Sequence, residues 1–490
     1  MSETTEKAAE RRSDPFSTRT LADQIKRTLK GPAVFLSLMS TSVVRRYRSR
    51  NNLQNVSGGL PLTPENTIGM VPLTGPYDYM MRALWPTRQL HSSAIRCTVL
   101  RLDKIVMRLS TLLFAMIVVA FCDRASCTVS EDSVPALARA LSELPPGSSV
   151  LELPEGTYTI GSTWTIRRTG ITIRGAGIGK TVLTRDPTFT GPLVIIGAEN
   201  SSITNLTIDG KRTVNMVFLA RTGDVADTIE VKGFTHIGIA VPPSGSGCRI
   251  SNCLITGPTT QTTMAIWHDA GRTSTDSTIM IDHNVIKNTG LYGTGGQITI
   301  ADNQISGEPN PGGGQIDIGN AFTTNTVAFI TGNSILNGGT VRTGGIEMGG
   351  GSFTVTNNIV RNHGLAGMGV GHNVIRATIT GNTVSNSGHD IADKNRPQCR
   401  SGIYVLYGAA NVEISGNRCF DDQPNKTQTW GIILCGPPMR PDPRFSPKAI
   451  EHLVIKGNDL RGNIHSEGLL NEGRVRDKLV SGNLPSQANH

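Results

Sequence analysis

The segment IDHNVIKNTG at residues 281–290 carries a pattern that three later segments repeat. Its template is an aliphatic residue, an asparagine three positions on, an aliphatic two further on, a second asparagine after two more, and a glycine after another two. The same spacing occurs in ITGNSILNGG at 330–339, VTNNIVRNHG at 355–364 and ITGNTVSNSG at 379–388, with partial copies centred on Asn303, Asn417, Asn458 and Asn483. Successive centres are at least 19 residues apart, with irregular excess. The pattern therefore predicts a fixed structural unit that carries loops of variable length.

A unit this short holds a few short strands that cannot bury their inner face alone, so the units must stack. We expect the first asparagine of the template to point inward at a bend and to bond backbone groups and its equivalents above and below. The second asparagine and the glycine tolerate the left-handed backbone of a turn. A strict six-residue period and the calcium-binding Gly-Gly-x-Gly-x-Asp nonapeptide are both absent from the sequence. The repeats indicate an all-β solenoid.

A single helix is predicted just before the first strands. The stretch Ser133–Leu144 has Ser133 as a candidate N-cap and places its aliphatic residues on one face. With this helix and the repeats, roughly residues 130–490 resemble the right-handed parallel β-helix proteins of the pectate lyase-like superfamily. The resemblance implies a right-handed parallel β-helix over 128–490 whose first coil is covered by the helix. It also implies polysaccharide chemistry: eliminative cleavage, hydrolysis or uronate epimerisation.

The net charge of +9 is concentrated before the repeats. Residues 1–106 hold 16 Lys and Arg against 8 Asp and Glu, which leaves 31 against 30 for residues 107–490. A nearly neutral solenoid has little field to attract nucleic acid, so we expect no nucleic-acid partner for it. The same balance favours hydrolysis of a glycan narrowly over a lyase that acts on an acidic one.

An export signal is predicted at residues 107–127. The apolar run LLFAMIVVAFC at 112–122 follows a charged start and precedes small polar residues. At 11 residues it is shorter than the ~20 that span a bilayer, so no integral membrane segment is expected in the mature chain. Residues 1–106 are then a basic leader or upstream sequence. The protein is expected to be secreted, periplasmic or on the cell surface.

Five cysteines follow the signal-like segment, and none forms a CxxC pair. A zinc knuckle or redox motif is therefore unsupported. Disulfides among Cys399, Cys419 and Cys435 are compatible with export, but the sequence does not decide their pairing. It does not decide the oligomeric state either.

Two acidic residues stand out in the strands that follow the Asn-x-Gly turns. Because faces alternate along a strand, the middle residues of these strands form an outward column through successive coils: Asp317, Glu347, Gly369, Tyr404 and Ile433. Stacked coils lie ~4.8 Å apart, so Asp317 and Glu347 are predicted to be neighbours. Their mutual repulsion raises one pKa and leaves an acid beside an ionised partner. Both are predicted to be catalytic, and Gly369 is expected to leave room for a ligand.

Four further side chains are predicted to contact the substrate. Tyr404 belongs to the column itself, and His268, His372 and Tyr407 follow the column positions by a few residues. Trp267 either stacks on a sugar or packs against a loop. We expect these side chains to line the same groove as the carboxylates, and the family resemblance implies that the partner is a polysaccharide.

Three functions remain open at this point. The first is a glycoside hydrolase, in which Asp317 and Glu347 lie nearer the ~5–5.5 Å separation of retaining enzymes than that of inverting ones. The second is a polysaccharide lyase or uronate epimerase, whose base would have to come from a loop, as with Lys394 or Arg400. The third is a non-catalytic β-helix that binds glycan or protein. The motifs of polygalacturonase-like hydrolases and the Asp-Pro-His of alginate epimerases are absent. No cofactor is required, no metal ligands are assigned, and Ca²⁺ at the two carboxylates is an option.

Overall fold

The computed structural model describes residues 132–259, 263–271, 275–307, 313–320, 324–339, 343–390, 397–435, 448–470 and 475–484. The predicted leader at 1–106 and signal at 107–127 lie outside these ranges. Within them there is one α-helix, α1 (Val134–Ser142), and a short 3₁₀ helix at Pro397–Arg400. No helix of the described ranges is long and apolar enough to cross a membrane.

Short strands make up most of the described chain. In chain order they are β1 (Val150–Leu153), β2 (Gly156–Ile160), β3 (Trp164–Ile166), β4 (Thr172–Gly175), β5 (Thr181–Arg185), β6 (Val194–Ile196), β7 (Ser202–Leu219), β8 (Val225–Val241), β9 (Cys248–Ser251), β10 (Leu254–Thr256), β11 (Met264–Asp269), β12 (Thr278–Asp282), β13 (Val285–Lys287), β14 (Gly290–Thr294), β15 (Gly296–Ala301), β16 (Gln304–Ser306), β17 (Gly313–Gly319), β18 (Thr326–Thr331), β19 (Ser334–Leu336), β20 (Thr343–Gly349), β21 (Gly351–Thr356), β22 (Ile359–His363), β23 (Met368–Val370), β24 (Val374–Thr380), β25 (Thr383–Ser387), β26 (Ser401–Leu406), β27 (Ala410–Ser415), β28 (Arg418–Phe420), β29 (Trp430–Cys435), β30 (Ile450–Lys456), β31 (His465–Leu470) and β32 (Val475–Ser481).

These strands stack into three parallel faces, so that each coil contributes one strand to each face. Most strands pair with the strand three places later, as β14 does with β17 and β17 with β20. The long strands β7 and β8 pass through all three faces, because each pairs with a different partner along its length. The third face, which carries the candidate site, consists of β3, β6, parts of β7 and β8, β11, β14, β17, β20, β23, β26, β29 and β31.

A continuous aliphatic core fills the space between the faces. On the third face the inward positions stack Ile266, Leu291, Ile316, Ile346 and Met368 in successive coils, and each is at most 2 % exposed. Burying a side chain of this size contributes about 1.5–3 kcal/mol relative to leaving it exposed. The repetition of one aliphatic residue per coil is what obliges the coils to stack.

The predicted asparagine ladder is confirmed. In each step the amide oxygen of one asparagine accepts hydrogen bonds from the backbone N–H and the side-chain Nδ2 of the preceding one, as Asn303 does from Asn284 at 2.9 Å each. The ladder continues through Asn333, Asn358, Asn382, Asn417, Asn458 and Asn483. The Nδ2 groups also donate to core backbone carbonyls, as from Asn333 to Ile300. Each amide therefore satisfies buried backbone groups at the same bend of each coil from Asn284 to Asn483.

The residue before the ladder asparagine adopts a left-handed backbone. Its φ is 58° at His283, 55° at Asp302 and 57° at Asn357, and glycines take this position in other coils. Only glycine and short polar residues adopt this conformation readily, which explains the composition of that position. His283 is exposed there.

Helix α1 covers the first coil as predicted, burying Val134, Leu137 and Leu141. Its predicted cap differs in detail. The Ser133 hydroxyl does not cap the helix but accepts a hydrogen bond from the Thr159 N–H at 3.0 Å. Asp132 accepts instead from the Val134 N–H at 3.0 Å. The helix is thereby tied by Ser133 to the coil that it covers.

The cysteines of the described ranges are reduced thiols, and none of them is in a disulfide. Cys399, Cys419 and Cys435 are buried and form no disulfide, so the disulfide option considered for them is wrong. Burial raises the pKa of the Cys435 thiol to about 12. A buried thiol with a raised pKa behaves as a small apolar side chain.

Candidate functional site

The outward column lies on the third face, where the strand register is as predicted. Asp317 of β17 pairs with Glu347 of β20, Glu347 with Gly369 of β23, and Gly369 with Tyr404 of β26. Inward neighbours flank each column residue, as Ile316 and Ile318 do for Asp317. The strand alternation therefore turns both carboxylates away from the aliphatic core. Ile433 continues the column but is fully buried.

The two carboxyl groups are half-buried and poorly hydrated. Burial, and to a lesser extent the charge of Glu347, raise the pKa of Asp317 to about 8. Burial also raises the pKa of Glu347 to about 7, against a hydrogen bond from Tyr404 that lowers it. Neutral Asp317 beside ionised Glu347 is thus the favoured arrangement near neutral pH. Two carboxyl groups with separated pKa values are the requirement for a proton donor and a base or nucleophile in one site.

Tyr404 reaches across one coil to Glu347. Its phenol donates a hydrogen bond to Glu347 Oε2, although Gly369 lies between them in the column. A β-carbon at Gly369 would lie 2.3 Å from Glu347 Oε2 and 2.3 Å from the Tyr404 oxygen. The expectation that Gly369 leaves room for a ligand is therefore wrong. Its missing side chain leaves room for the contact between Tyr404 and Glu347.

Other glycines border the remaining carboxylate oxygens. A β-carbon at Gly313 would be 2.9 Å from Asp317 Oδ2, and one at Gly344 would be 2.7 Å from Glu347 Oε1. Asp317 accepts no hydrogen bond from the described residues, whereas Glu347 accepts the one from Tyr404. The pair is therefore asymmetric: a phenol donates a hydrogen bond to Glu347, and no described residue donates one to Asp317.

His372 and Tyr407 form a second pair, three residues beyond Gly369 and Tyr404. Their rings lie 4.3 Å apart, and His372 Nδ1 lies 3.0 Å from the Tyr407 carbonyl oxygen. The structure thus brings Asp317, Glu347 and Tyr404 into one cluster and pairs His372 with Tyr407 where the strands end. Their predicted contact with substrate stays a prediction.

The prediction that His268 lines the site is wrong. Its side chain is fully buried, because it is the inward neighbour of the half-buried Trp267 on β11. Burial lowers the pKa of His268 to about 4. The imidazole is therefore uncharged at neutral pH, and the side chain lies in the core, where it cannot touch a ligand on the outer surface.

Sequence reasoning missed Tyr292 altogether. The register places Tyr292 beside Asp317 on one side and beside Trp267 on the other, so both aromatic residues continue the outward column. The sequence feature that could have identified Tyr292 is its position two residues after the turn glycine Gly290. The glycines at 290 and 293 leave β14 without the aliphatic spacing of the other strands.

The described residues do not fit a calcium site. No group of three His, Cys, Asp or Glu side chains in the described ranges is arranged to hold a metal ion. Asp317 and Glu347 supply two carboxylates, and one of them already accepts the Tyr404 phenol. Calcium takes six to eight oxygen ligands. The donor set of the column therefore falls short of what the ion requires.

Comparison with known proteins identifies the fold but not a close relative. No protein-family model matches the sequence. No curated protein matches it significantly. Among solved structures, an alginate lyase, AlyF-OU02 in complex with G6, is 14% identical with a TM-score of 0.53, covering 72% of this chain and 82% of that one.

Two other structures are more distant in shape. The Dettilon tailspike protein is 18% identical with a TM-score of 0.42, and the match covers 68% of this chain but only 60% of the tailspike chain. The catalytic unit of the GH87 alpha-1,3-glucanase from Streptomyces thermodiastaticus is 14% identical with a TM-score of 0.44, covering 75% and 70%. At these identities the likeness concerns architecture alone. The stacked strands, the asparagine ladder and the likeness to the lyase structure together show that this chain is a right-handed parallel β-helix protein.

Proposed function

We propose that this protein is a glycoside hydrolase that cleaves a polysaccharide with Asp317 and Glu347. The observation that carries the proposal is the asymmetry of the stacked pair. Asp317 has the higher pKa and no hydrogen-bond donor among the described residues, so it holds a proton. Glu347 has the lower pKa and is stabilised as an anion by the Tyr404 phenol. Hydrolysis of a glycosidic bond needs one carboxyl group in each state.

In this proposal Asp317 gives its proton to the oxygen of the leaving sugar while the bond to the anomeric carbon breaks. Glu347 attacks that carbon and forms a covalent glycosyl ester, because neighbouring coils place the carboxylates closer than an intervening water requires. The Asp317 carboxylate then removes a proton from water, which attacks the same carbon and releases Glu347. Tyr404 acts as a positioning residue that fixes the carboxylate of Glu347.

A lyase is less well supported by the same residues. Elimination needs a base that removes the proton beside a uronate carboxylate. Burial and the charge of Glu347 raise the pKa of Tyr404 well above 10, so its phenol does not ionise readily. Arg400 packs against Gly388 just before β26, and Lys394 lies outside the described residues. Apart from Glu347, to which the hydrolase proposal assigns the role of nucleophile, the described column offers no base for elimination.

Product analysis on a panel of polysaccharides tests the proposal. Hydrolysis releases reducing ends without a new ultraviolet chromophore, whereas elimination yields an unsaturated product that absorbs. Release of reducing ends that disappears in both Asp317→Asn and Glu347→Gln supports the proposal. An absorbing product would contradict it in favour of a lyase, and binding without turnover would contradict it in favour of a non-catalytic glycan-binding protein.

We also propose that the protein is exported by the segment at 107–127. Its charged start, apolar run and small polar residues support this step. N-terminal sequencing of protein recovered from the medium or periplasm is expected to give a start soon after residue 122. A mature chain that begins near Ser2 would contradict export through this segment.

A further inference from the structure

Two aromatic side chains extend the outward column on the N-terminal side of the carboxylates. Trp267 pairs in register with Tyr292, and Tyr292 with Asp317. Both rings are half-buried, and the residues beside them in their strands are buried, which turns the rings outward. We call Trp267 and Tyr292 the aromatic platform. It forms a surface two coils long that leads directly to the proposed proton donor.

The aromatic platform ends at Trp267 on its N-terminal side. The next residue of the column toward the N-terminus is Ala240, which pairs with Trp267 and is fully buried. Coils are spaced by about 4.8 Å, close to the length of one pyranose residue in a glycan chain. The platform therefore matches about two sugar rings, one on each coil, beside a bond held at Asp317.

The charge around this column restricts what can bind. The third-face strands from β11 to β29 contain no lysine or arginine, and their acidic residues are Asp269, Asp317 and Glu347. Along these strands an anionic glycan would meet carboxylates without a compensating cation, which is unfavourable when the site is partly desolvated. An uncharged sugar avoids this repulsion, and its apolar ring face packs against tyrosine and tryptophan.

We propose that the aromatic platform is a binding subsite for an uncharged saccharide, whose rings stack on Trp267 and Tyr292 and present the next glycosidic bond to Asp317 and Glu347. The inference rests on the proposed hydrolase function, which it deepens by naming the substrate class. It predicts that the glycan lies along the helix axis, with at least two sugar units on the N-terminal side of the bond that is cleaved.

The inference is tested by measuring glycan binding to a variant in which both carboxylates are replaced, so that binding is measured without cleavage. In the full chain carrying Asp317→Asn and Glu347→Gln, a glycan array with uncharged and uronate oligosaccharides is screened, and the hits are titrated by calorimetry. We expect uncharged hits whose binding weakens about tenfold or more on adding Trp267→Ala or Tyr292→Ala. Phe329→Ala is the matched control, because Phe329 is 42% exposed on β18 of another face; it should leave affinity unchanged.

The inference is overturned if only uronate glycans bind, if no glycan of the array binds, or if the platform variants bind like Phe329→Ala. Two further outcomes distinguish failure of this inference from failure of the hydrolase proposal. Platform-dependent binding by a wild-type protein that cleaves no glycan would refute hydrolysis and keep the subsite. Cleavage with an unchanged KM in Trp267→Ala and Tyr292→Ala would refute the subsite and keep hydrolysis.

Discussion

Replacing Gly369 with alanine should break the contact that fixes Glu347. A β-carbon at this position would lie 2.3 Å from Glu347 Oε2 and 2.3 Å from both Cζ and the phenol oxygen of Tyr404. These separations are more than an ångström below ordinary van der Waals contact, so either the carboxylate or the phenol must move. The Tyr404 hydrogen bond cannot keep its present geometry after such a shift.

The size of the effect follows from that hydrogen bond. A bond to a charged group is worth about 1.5–3 kcal/mol, and each 1.36 kcal/mol is tenfold in rate, so kcat/KM should fall about 10- to 150-fold. The overpacked position should also lower the free energy of unfolding by about 1–3 kcal/mol. The Tyr404 bond lowers the pKa of Glu347, so its loss should move the acidic limb of kcat/KM to higher pH.

The assay compares kcat/KM across pH for wild type, Gly369→Ala, Tyr404→Phe and the double variant, well below the melting temperature of each. Gly197→Ala is the matched control, because the nearest atom to a β-carbon there is 3.4 Å away. The double variant should lose little more than Tyr404→Phe alone, since both changes remove one interaction. Losses that multiply, or a Gly369→Ala protein with the wild-type pH profile, would refute the reasoning.

Three further outcomes are expected. The pKa values of Glu347 and Asp317 are about 7 and about 8, so a plot of wild-type kcat/KM against pH should be bell-shaped with its maximum between these values. A plateau that extends down to pH 5 would contradict the roles assigned to the two carboxyl groups. Asn333→Ala should lower the free energy of unfolding by about 2–4 kcal/mol, because several buried groups lose their hydrogen-bond partner. Urea unfolding measures this, and Asn483→Ala, near the end of the ladder, should lower the free energy of unfolding by less. Burial lowers the pKa of His268 from 6.5 to about 4, so the unfolded chain takes up a proton at a higher pH than the folded chain does. The free energy of unfolding should therefore fall by about 3 kcal/mol as the pH drops from 6.5 to about 4. Urea unfolding measured against pH tests this, and His268→Leu should flatten the dependence.

The repeat made most of the fold predictable. An asparagine at a fixed position of each coil from Asn284 onward has few structural explanations, and the observed ladder to Asn483 agrees with that prediction. Alternation in short strands also placed Asp317 beside Glu347, because the aliphatic residues on each side of them fix the register. These predictions needed only neighbours in sequence and the spacing of stacked coils.

The rest of the site depends on contacts that skip a coil or interrupt the pattern. Tyr404 reaches Glu347 across Gly369, and no periodicity shows which side chain bends over a glycine. Tyr292 lies in a strand whose glycines hide the aliphatic spacing. His268 follows the inward Ile266 by two residues and shares its face, so the alternation that turns Trp267 outward contradicts the predicted place of His268 in the groove.

The most direct test of the central claim is the rate of reducing-end release by folded Asp317→Asn and Glu347→Gln proteins on the polysaccharide that the wild type cleaves. Each substitution keeps the size of the side chain and removes its ability to give or accept the required proton or to attack the sugar. Both should lower kcat at least about 100-fold, as expected for loss of a general acid or a nucleophile, with unchanged melting temperature. Wild-type kcat in either variant would contradict the claim that this stacked carboxylate pair is the active site.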